Sequence, residues 1–436
     1  MCKCMVTSII GKIFLNAYNA RYGTSYSAEQ FFLEVFYPLF FDSNKYLYWV
    51  QNSPFVQMKK GQKVEKLTPD ERKEKLDNFI EKINSGVSDA SIAIGYPASE
   101  EKEYATTSGQ VSNLTFPIFK DDVYFSWFGS ALGIGVQGGL SIFFYNVDIL
   151  LDVYEGWKLY REAIDNTDKL PGNKILTWNG QWLAHRYSRI FNEKDCLSGF
   201  NPYTIKNNEI SIDTVSWTKV LIGISQKCLN KQMIGYVYSY GQTNITIGFI
   251  PFDLSQISRP IQLYKKFFGM NSGHEADKLW GTAMGFNKAC QAGVIGLRAM
   301  EPKGLRDYIE NGKMPKLSNK EEQIISFNVY QSWIMAMLNN QDLWDKAQEF
   351  ASELYKYSSS GNRAKTVNMN KVKMVLEANN KMNFMKSMAD IVEDAEDVEK
   401  MKEIASIVNA MPSDNVPYFL TLIRFHYAIF TNTKKR

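Results

Sequence analysis

Histidine is nearly absent from this chain: 436 residues carry only His185, His274 and His426, and no two of them stand at a metal-ligand spacing. The usual signatures of catalysis are missing too. No GxSxG, HExxH or phosphate-loop pattern occurs. Five cysteines, Cys2, Cys4, Cys196, Cys228 and Cys290, form no CxxC pair. Their odd number, with no secretory leader, argues for reduced thiols in the cytoplasm. The Cys2-x-Cys4 pair lacks the ligand spacing of a zinc site. No apolar run is long enough to span a bilayer, the final one from Val416 to Phe430 being about 15 residues and interrupted by Arg424 and His426. No catalytic residue, metal ligand, cofactor or membrane partner is expected from these absences. The formal charge of +4 is also too small to imply a polyanion partner by itself, so any nucleic-acid surface has to come from local clustering.

What is present is aromatic mass and glycine. Aromatics make up 14% of the chain, with 24 tyrosines, and hydrophobic residues 45%, enough for two to three packed domains, at about 150 residues each. Both features are densest between Asp122 and Trp157, around Gly129, Gly133, Gly135, Gly138 and Gly139. Gly133-x-Gly135-x-x-Gly138 has the form of a dinucleotide fingerprint, but Leu140-Ser-Ile-Phe-Phe-Tyr follows it as a strand rather than a helix. A turn between paired strands fits these letters, and so does glycine backbone lying against a nucleic-acid groove, with Gln137 beside it.

Before this hub, Ser27-Ala-Glu-Gln30 and Thr68-Pro-Asp-Glu71 predict helix starts with reciprocal caps. From Val87 to about Phe252 the texture is short β-branched and aromatic runs broken by Gly, Pro and Asn, which predicts sheet and loop. Met233–Tyr238 and Thr243–Ile250 form the clearest hairpin, and Ile210–Ile224 is a further strand candidate. In Thr177-Trp-Asn-Gly-Gln-Trp182, Asn179 and Gln181 have amides able to read base edges, while an Asn-Gly turn between buried tryptophans explains the same residues. Helix returns from Arg259, and the turn-rich Asn311–Lys316 predicts a boundary. The fold class expected is α+β: a β-rich body over 1–316 with flanking helices, then a helical bundle over 317–436. Nine of the 17 methionines fall between Met335 and Met411, as suits an adaptable helical core.

Two clusters carry possible chemistry. Asp277 with Glu301-Pro-Lys303 places two acids near a lysine, a weak nuclease-like pattern that would need Mg²⁺, and Pro302 disfavours the central strand such a site uses. Between Leu354 and Leu376 stand five basic residues and no acid, including Arg363, Lys365, Lys371 and Lys373, around Ser358–Arg363. A mobile basic loop of this kind holds a phosphate backbone without base specificity; a merely solvated loop has the same composition. Asp390–Glu403 holds seven acids, so the bundle is polarised.

In the order of its parts, a mixed body with a glycine-rich hub followed by a helical bundle with a basic segment, the chain resembles the large subunit of type I CRISPR surveillance complexes (Cascade). The resemblance is one of architecture and covers most of the chain. It implies a DNA-binding and RNA-binding subunit of a ribonucleoprotein in antiviral defence, assembled with guide RNA and other Cascade subunits. The body would recognise a short duplex motif beside the target, with Gly133, Gly135, Gln137, Asn179 and Gln181 as candidates. The bundle would hold the displaced single strand, with Arg363, Lys365, Lys371 and Lys373. Cleavage would fall to a recruited helicase-nuclease. A restriction-type or other defence nuclease and a plain scaffold are the alternatives.

Overall fold

The computed structural model describes residues 5–50, 53–85, 119–228, 232–240, 245–269, 281–360, 365–392 and 397–433. Asp277, His274, Arg363, Cys2 and Cys4 lie outside them. The chain divides into two compact units, one of Met1–Leu254 with Gly285–Ile295, the other of Ser255–Met284 with Gly296–Arg436.

The first unit is built on aromatic packing. Helix α1 (Val6–Tyr22) places Phe14 among Phe31, Phe128, Tyr154 and Trp157, with ring centroids 5.6 to 6.2 Å away. Each such pair adds about 0.5–1.5 kcal/mol beyond the area it buries. Both expected caps are formed. Ser27 and Gln30 bond reciprocally at the start of the helical run through Phe40, and Thr68 and Glu71 do so at the start of α2 (Pro69–Asn84). Two of the orphan amide groups at each helix start are thereby satisfied.

The class is α+β, as the sequence predicts, but the described part of the stretch read as sheet and loop also holds four helices. They are α3 (Lys120–Ala131), α4 (Val147–Asn166), α5 (Ile175–Arg186) and α6 (Trp217–Lys227). The strand expected over Ile210–Ile224 is a short strand, Glu209–Ile212, followed by α6. The Asn-Gly turn expected at Asn179 is the middle of α5. Burial explains the misreading. Helix α4 buries Ile149, Leu150, Val153, Tyr154, Trp157, Tyr160 and Ile164, a helical spacing built from β-branched and aromatic residues that also favour strands.

One antiparallel sheet has the order β1 (Ile134–Val136), β2 (Leu140–Phe144), β5 (Gln232–Ser239), β6 (Ile245–Asp253); β3 (Tyr203–Lys206) and β4 (Glu209–Ile212) pair separately. β1 and β2 are joined by Gln137, Gly138 and Gly139, the two glycines adopting φ of 101° and 73°. That conformation costs little only without a Cβ, and it is the turn between paired strands that the sequence allowed. A bulge interrupts the β5–β6 pairing at Val237/Tyr238.

The second unit begins earlier than the expected boundary near residue 316. Leu263 of α7 (Leu254–Phe268), Leu297, Leu305 and Ile309 share one core with the helices α8 (Glu321–Leu338), α9 (Asp342–Ser359), α10 (Lys365–Glu377), α11 (Lys381–Val392), α12 (Val398–Ala410) and α13 (Val416–Thr433). Trp333 also donates its indole N–H to the Leu297 carbonyl at 3.1 Å. Turn chemistry at Asn311–Lys316 therefore marks a connection inside a packed unit. A fragment of 255–436 should unfold cooperatively in urea, whereas 317–436, which lacks those apolar side chains, should have a markedly lower midpoint by circular dichroism. Equal midpoints would restore the later boundary.

Helix α13 buries two basic residues. The Arg424 guanidinium donates to the carbonyls of Leu376, Ala378 and Tyr308 and to Thr421 Oγ1 at 2.6 to 3.0 Å. Burial lowers its pKa to about 10, still far above neutrality, so the charge is kept. His426 packs against the edge of Trp344, and its Nε2 has no hydrogen-bond partner. Burial pushes this imidazole down to about 4 from an ordinary 6.5. The folded protein therefore excludes a proton that the unfolded chain takes up below pH 6.5. Stability should be full above that pH and fall by about 3 kcal/mol as the pH drops towards 4. In urea titrations at pH 7 and 4.5, His426→Leu should lose less stability on acidification than the parent; an equal loss would refute the assignment.

Candidate nucleic-acid interface

Four of the five residues expected to read a duplex motif are part of the packing. Asn179 is completely buried in the middle of α5. Its Nδ2 donates to the carbonyls of Ala131 and Gly133, both at 2.8 Å, and its Oδ1 accepts the Trp157 indole N–H at 3.1 Å. Every polar group of this amide is occupied, so it cannot address a base edge. Gln181 is half-buried and donates to the Asp213 carbonyl at 2.7 Å.

The glycines are explained the same way. A Cβ on Gly180 would stand 2.1 Å from the Gly135 carbonyl oxygen, and one on Gly135 would stand 2.7 Å from that of Leu176. One on Gly133 would meet the Phe143 ring at 2.7 Å. Gly133 and Gly135 thus admit helix α5 against β1 rather than a groove of DNA. Of the five candidates in this unit, Gln137 alone is exposed, at the β1–β2 turn, with its backbone N–H on the Val215 carbonyl.

Of the four bundle cations, Lys371 and Lys373 have described side chains; Arg363 and the side chain of Lys365 lie outside the described residues. The basic segment read as a loop is helical from Lys365 onward, in α10. Lys371 and Lys373 are two positions apart and so do not share a helix face. Lys371 Nζ donates to the Asp390 carbonyl at 2.8 Å, and Lys373 pairs with Glu377 one turn on, at 3.6 Å.

The acid cluster is likewise tied up. Glu301 pairs with Arg306 at 3.0 Å, which also holds Glu310 at 2.8 Å. Burial raises the Glu301 pKa against the pull of Arg306. Pro302 makes only an isolated bridge to Thr282. Among the described residues, no three His, Cys, Asp or Glu side chains are grouped as a metal site, and no helix is long and apolar enough to cross a membrane. His185 lies in the interior, stacked on Phe200, with Nε2 2.9 Å from the Cys196 carbonyl; burial lowers its pKa.

The surface that sequence reasoning missed is the outer face of the main sheet. The register places Gly135, Ser141, Phe143, Tyr236 and Phe249 on this face, and Ile142, Phe144, Gly235, Val237 and Ile250 on the other. Helix α5 covers the end nearest β1, where Leu176 and Gly180 meet Gly133 and Gly135. The end formed by β5 and β6 carries exposed apolar groups: Phe249 is 66% exposed and Ile234 63%. Tyr236 stands opposite Phe249 in the register with ring centroids 5.3 Å apart, and lies 6.0 Å from Tyr238 in a near-parallel stack. Among the described residues the Tyr236 hydroxyl has no hydrogen-bond partner. A signal existed in the sequence: Met233–Tyr238 is apolar at both odd and even positions, whereas a strand with one solvated face alternates.

Comparison with protein-family models, curated proteins and solved structures finds no match to this chain.

If Asn179 is a packing residue, Asn179→Ala leaves two carbonyls and an indole N–H unsatisfied in the core. It should cost about 3 kcal/mol or more of stability, from about 1–3 for each stranded group, measured by urea denaturation. A stable variant with altered preference among DNA duplexes would return Asn179 to base reading.

Proposed function

We propose that the chain is a nucleic-acid-binding protein whose contact surface for single strands is the β5–β6 end of the sheet. The observation that carries this reading is the solvent-facing pair of Tyr236 and Phe249, flanked by Ile234. Flat rings displayed on a rigid antiparallel sheet offer stacking to unpaired bases of any sequence, at about 1–3 kcal/mol per base. Rings on paired strands lose little further freedom when a base settles on them. A helical surface of the same composition would not hold two rings in cross-strand register.

The resemblance to large subunits of type I surveillance complexes gives this surface a biological setting. On that reading the strand is guide RNA or displaced DNA, other Cascade subunits flank the chain, and a recruited helicase-nuclease cuts. The division into a mixed unit and a helical unit supports the reading. Duplex-motif recognition passes from Asn179 and the hub glycines to other surfaces, of which Gln137 at the exposed turn is one.

Fluorescence anisotropy with labelled single-stranded RNA and DNA tests the surface. Tyr236→Ala with Phe249→Ala should weaken binding by about 1 kcal/mol or more per lost stack, with little change in the slope of log affinity against log salt, because stacking releases no counterions. Unchanged affinity in the double variant, or no binding by the parent at low salt, would overturn the proposal.

A further inference from the structure

The first unit has a second concave feature, unrelated to the sheet face. A cleft of about 210 Å³ lies where the C-terminal end of α5 meets that of α6, lined by Arg186, Ser188, Phe191, Glu193, Gln226 and Lys227. Arg186 is held in one orientation from two sides. Its Nε donates to Asp152 Oδ1 at 3.2 Å, and its guanidinium lies over the Phe191 ring at 4.6 Å. Asp152 is itself buried and fixed, because its Oδ2 accepts the Tyr187 hydroxyl at 2.7 Å.

This arrangement uses one edge of the guanidinium and leaves the other open. Among the described residues, Nη1 and Nη2 of Arg186 have no acceptor, and neither the Lys227 ammonium nor the Gln226 amide has a partner. Ser188 also lines the cleft, and its Oγ is buried with no hydrogen-bond partner among the described residues. The unpaired groups at the cleft are thus mainly donors. Glu193 at the exposed rim is the one carboxylate facing them, since Asp152 is occupied. A planar, pre-oriented guanidinium with a nearby ammonium matches the oxygens of a phosphate, which takes two parallel N–H bonds from the former and a point charge from the latter.

We propose that this cleft binds a terminal phosphate monoester, with Arg186 as the bidentate anchor and Lys227, Gln226 and Ser188 as further donors. Two sources share that chemistry, a free nucleotide and the phosphorylated end of a nucleic-acid strand. The site does not depend on the sheet face, and a variant lacking Tyr236 and Phe249 should bind phosphate as the parent does. The alternative role for these cations is to complement the negative ends of two helices. That role predicts no affinity for anions.

Isothermal titration of the full chain with inorganic phosphate and with a nucleoside 5′-monophosphate distinguishes the two. Saturable binding is expected in the millimolar range or tighter, falling about tenfold in Lys227→Gln and severalfold in Ser188→Ala, and rising in Glu193→Gln. Arg186→Lys keeps the charge opposite Asp152 but loses the planar fork, and should also lose about tenfold. Ser188→Ala removes a buried unpaired hydroxyl, so it should lower affinity while stability holds or rises, an outcome that misfolding cannot mimic. A 5′-phosphorylated oligonucleotide that binds more tightly than its 5′-hydroxyl counterpart, with the difference abolished by Lys227→Gln, assigns the site to strand ends. No difference, with the nucleotide still bound, assigns it to the free monoester. Absence of saturable binding, or equal binding by parent, Lys227→Gln and Ser188→Ala, overturns the site.

Discussion

The side chain of Asn179 is the constraint on which the first unit turns. One amide takes the carbonyl of Ala131 at the end of α3, the carbonyl of Gly133 before β1, and the indole N–H of Trp157 on α4. The end of α3, the approach to β1 and the middle of α4 are thereby tied to one buried point in α5. Trp178 and Trp182 reinforce the same junction by donating to the Gly156 and Asp152 carbonyls of α4 at 2.7 Å. Gly135 and Gly180 follow from this constraint, since α5 passes β1 so closely that a Cβ on either would meet the other element's backbone. The sheet is therefore set by a helix lying on part of one face, and what α5 leaves uncovered is the aromatic end at β5 and β6.

The second unit solves a similar problem with a charge. Arg424 gathers carbonyls from the end of α10 and from Tyr308 in the short helix Arg306–Glu310. These are the atoms that a helix leaves without internal partners and that carry its partial negative charge. A guanidinium there replaces several separate caps. It is also costly to strand, because removing its acceptors would leave a buried cation unpaired. The dependence on Tyr308 draws residues before the apparent linker into the bundle.

Part of the chemistry that acts over a few residues was legible in the sequence. The capping boxes at Ser27 and Thr68, the Gly138-Gly139 turn and the β5–β6 pairing are decided by residues close in the chain. The failures share a cause. In α4 and α5, aromatic and β-branched residues are buried on several sides, so composition speaks for strand while the spacing speaks for helix. Asn146 caps α4, with the Ile149 N–H on its side chain at 3.1 Å, and was the local sign that could have decided between them. The role of Asn179 was not legible at all. Its partners lie 22 to 48 residues away, and an amide positioned for a base edge and one positioned for three interior groups are the same letter.

The separation between satisfied and unsatisfied groups gives the candidate surfaces their meaning. Three tyrosines in the first unit end on partners: Tyr124 on Glu29, Tyr160 on the Pro171 carbonyl, Tyr187 on Asp152. Burial raises the pKa of each, so these hydroxyls stay protonated as donors. Tyr236 departs from that pattern, with a ring stacked on neighbours and a hydroxyl without a partner among the described residues. Arg186 departs in the same way, being held firmly along one edge and open along the other. These two departures coincide with an exposed aromatic face and a cleft. A base would supply the cover that the rings lack and a phosphate the acceptor that the donors lack, so the two proposed sites would suit one class of ligand through independent chemistry.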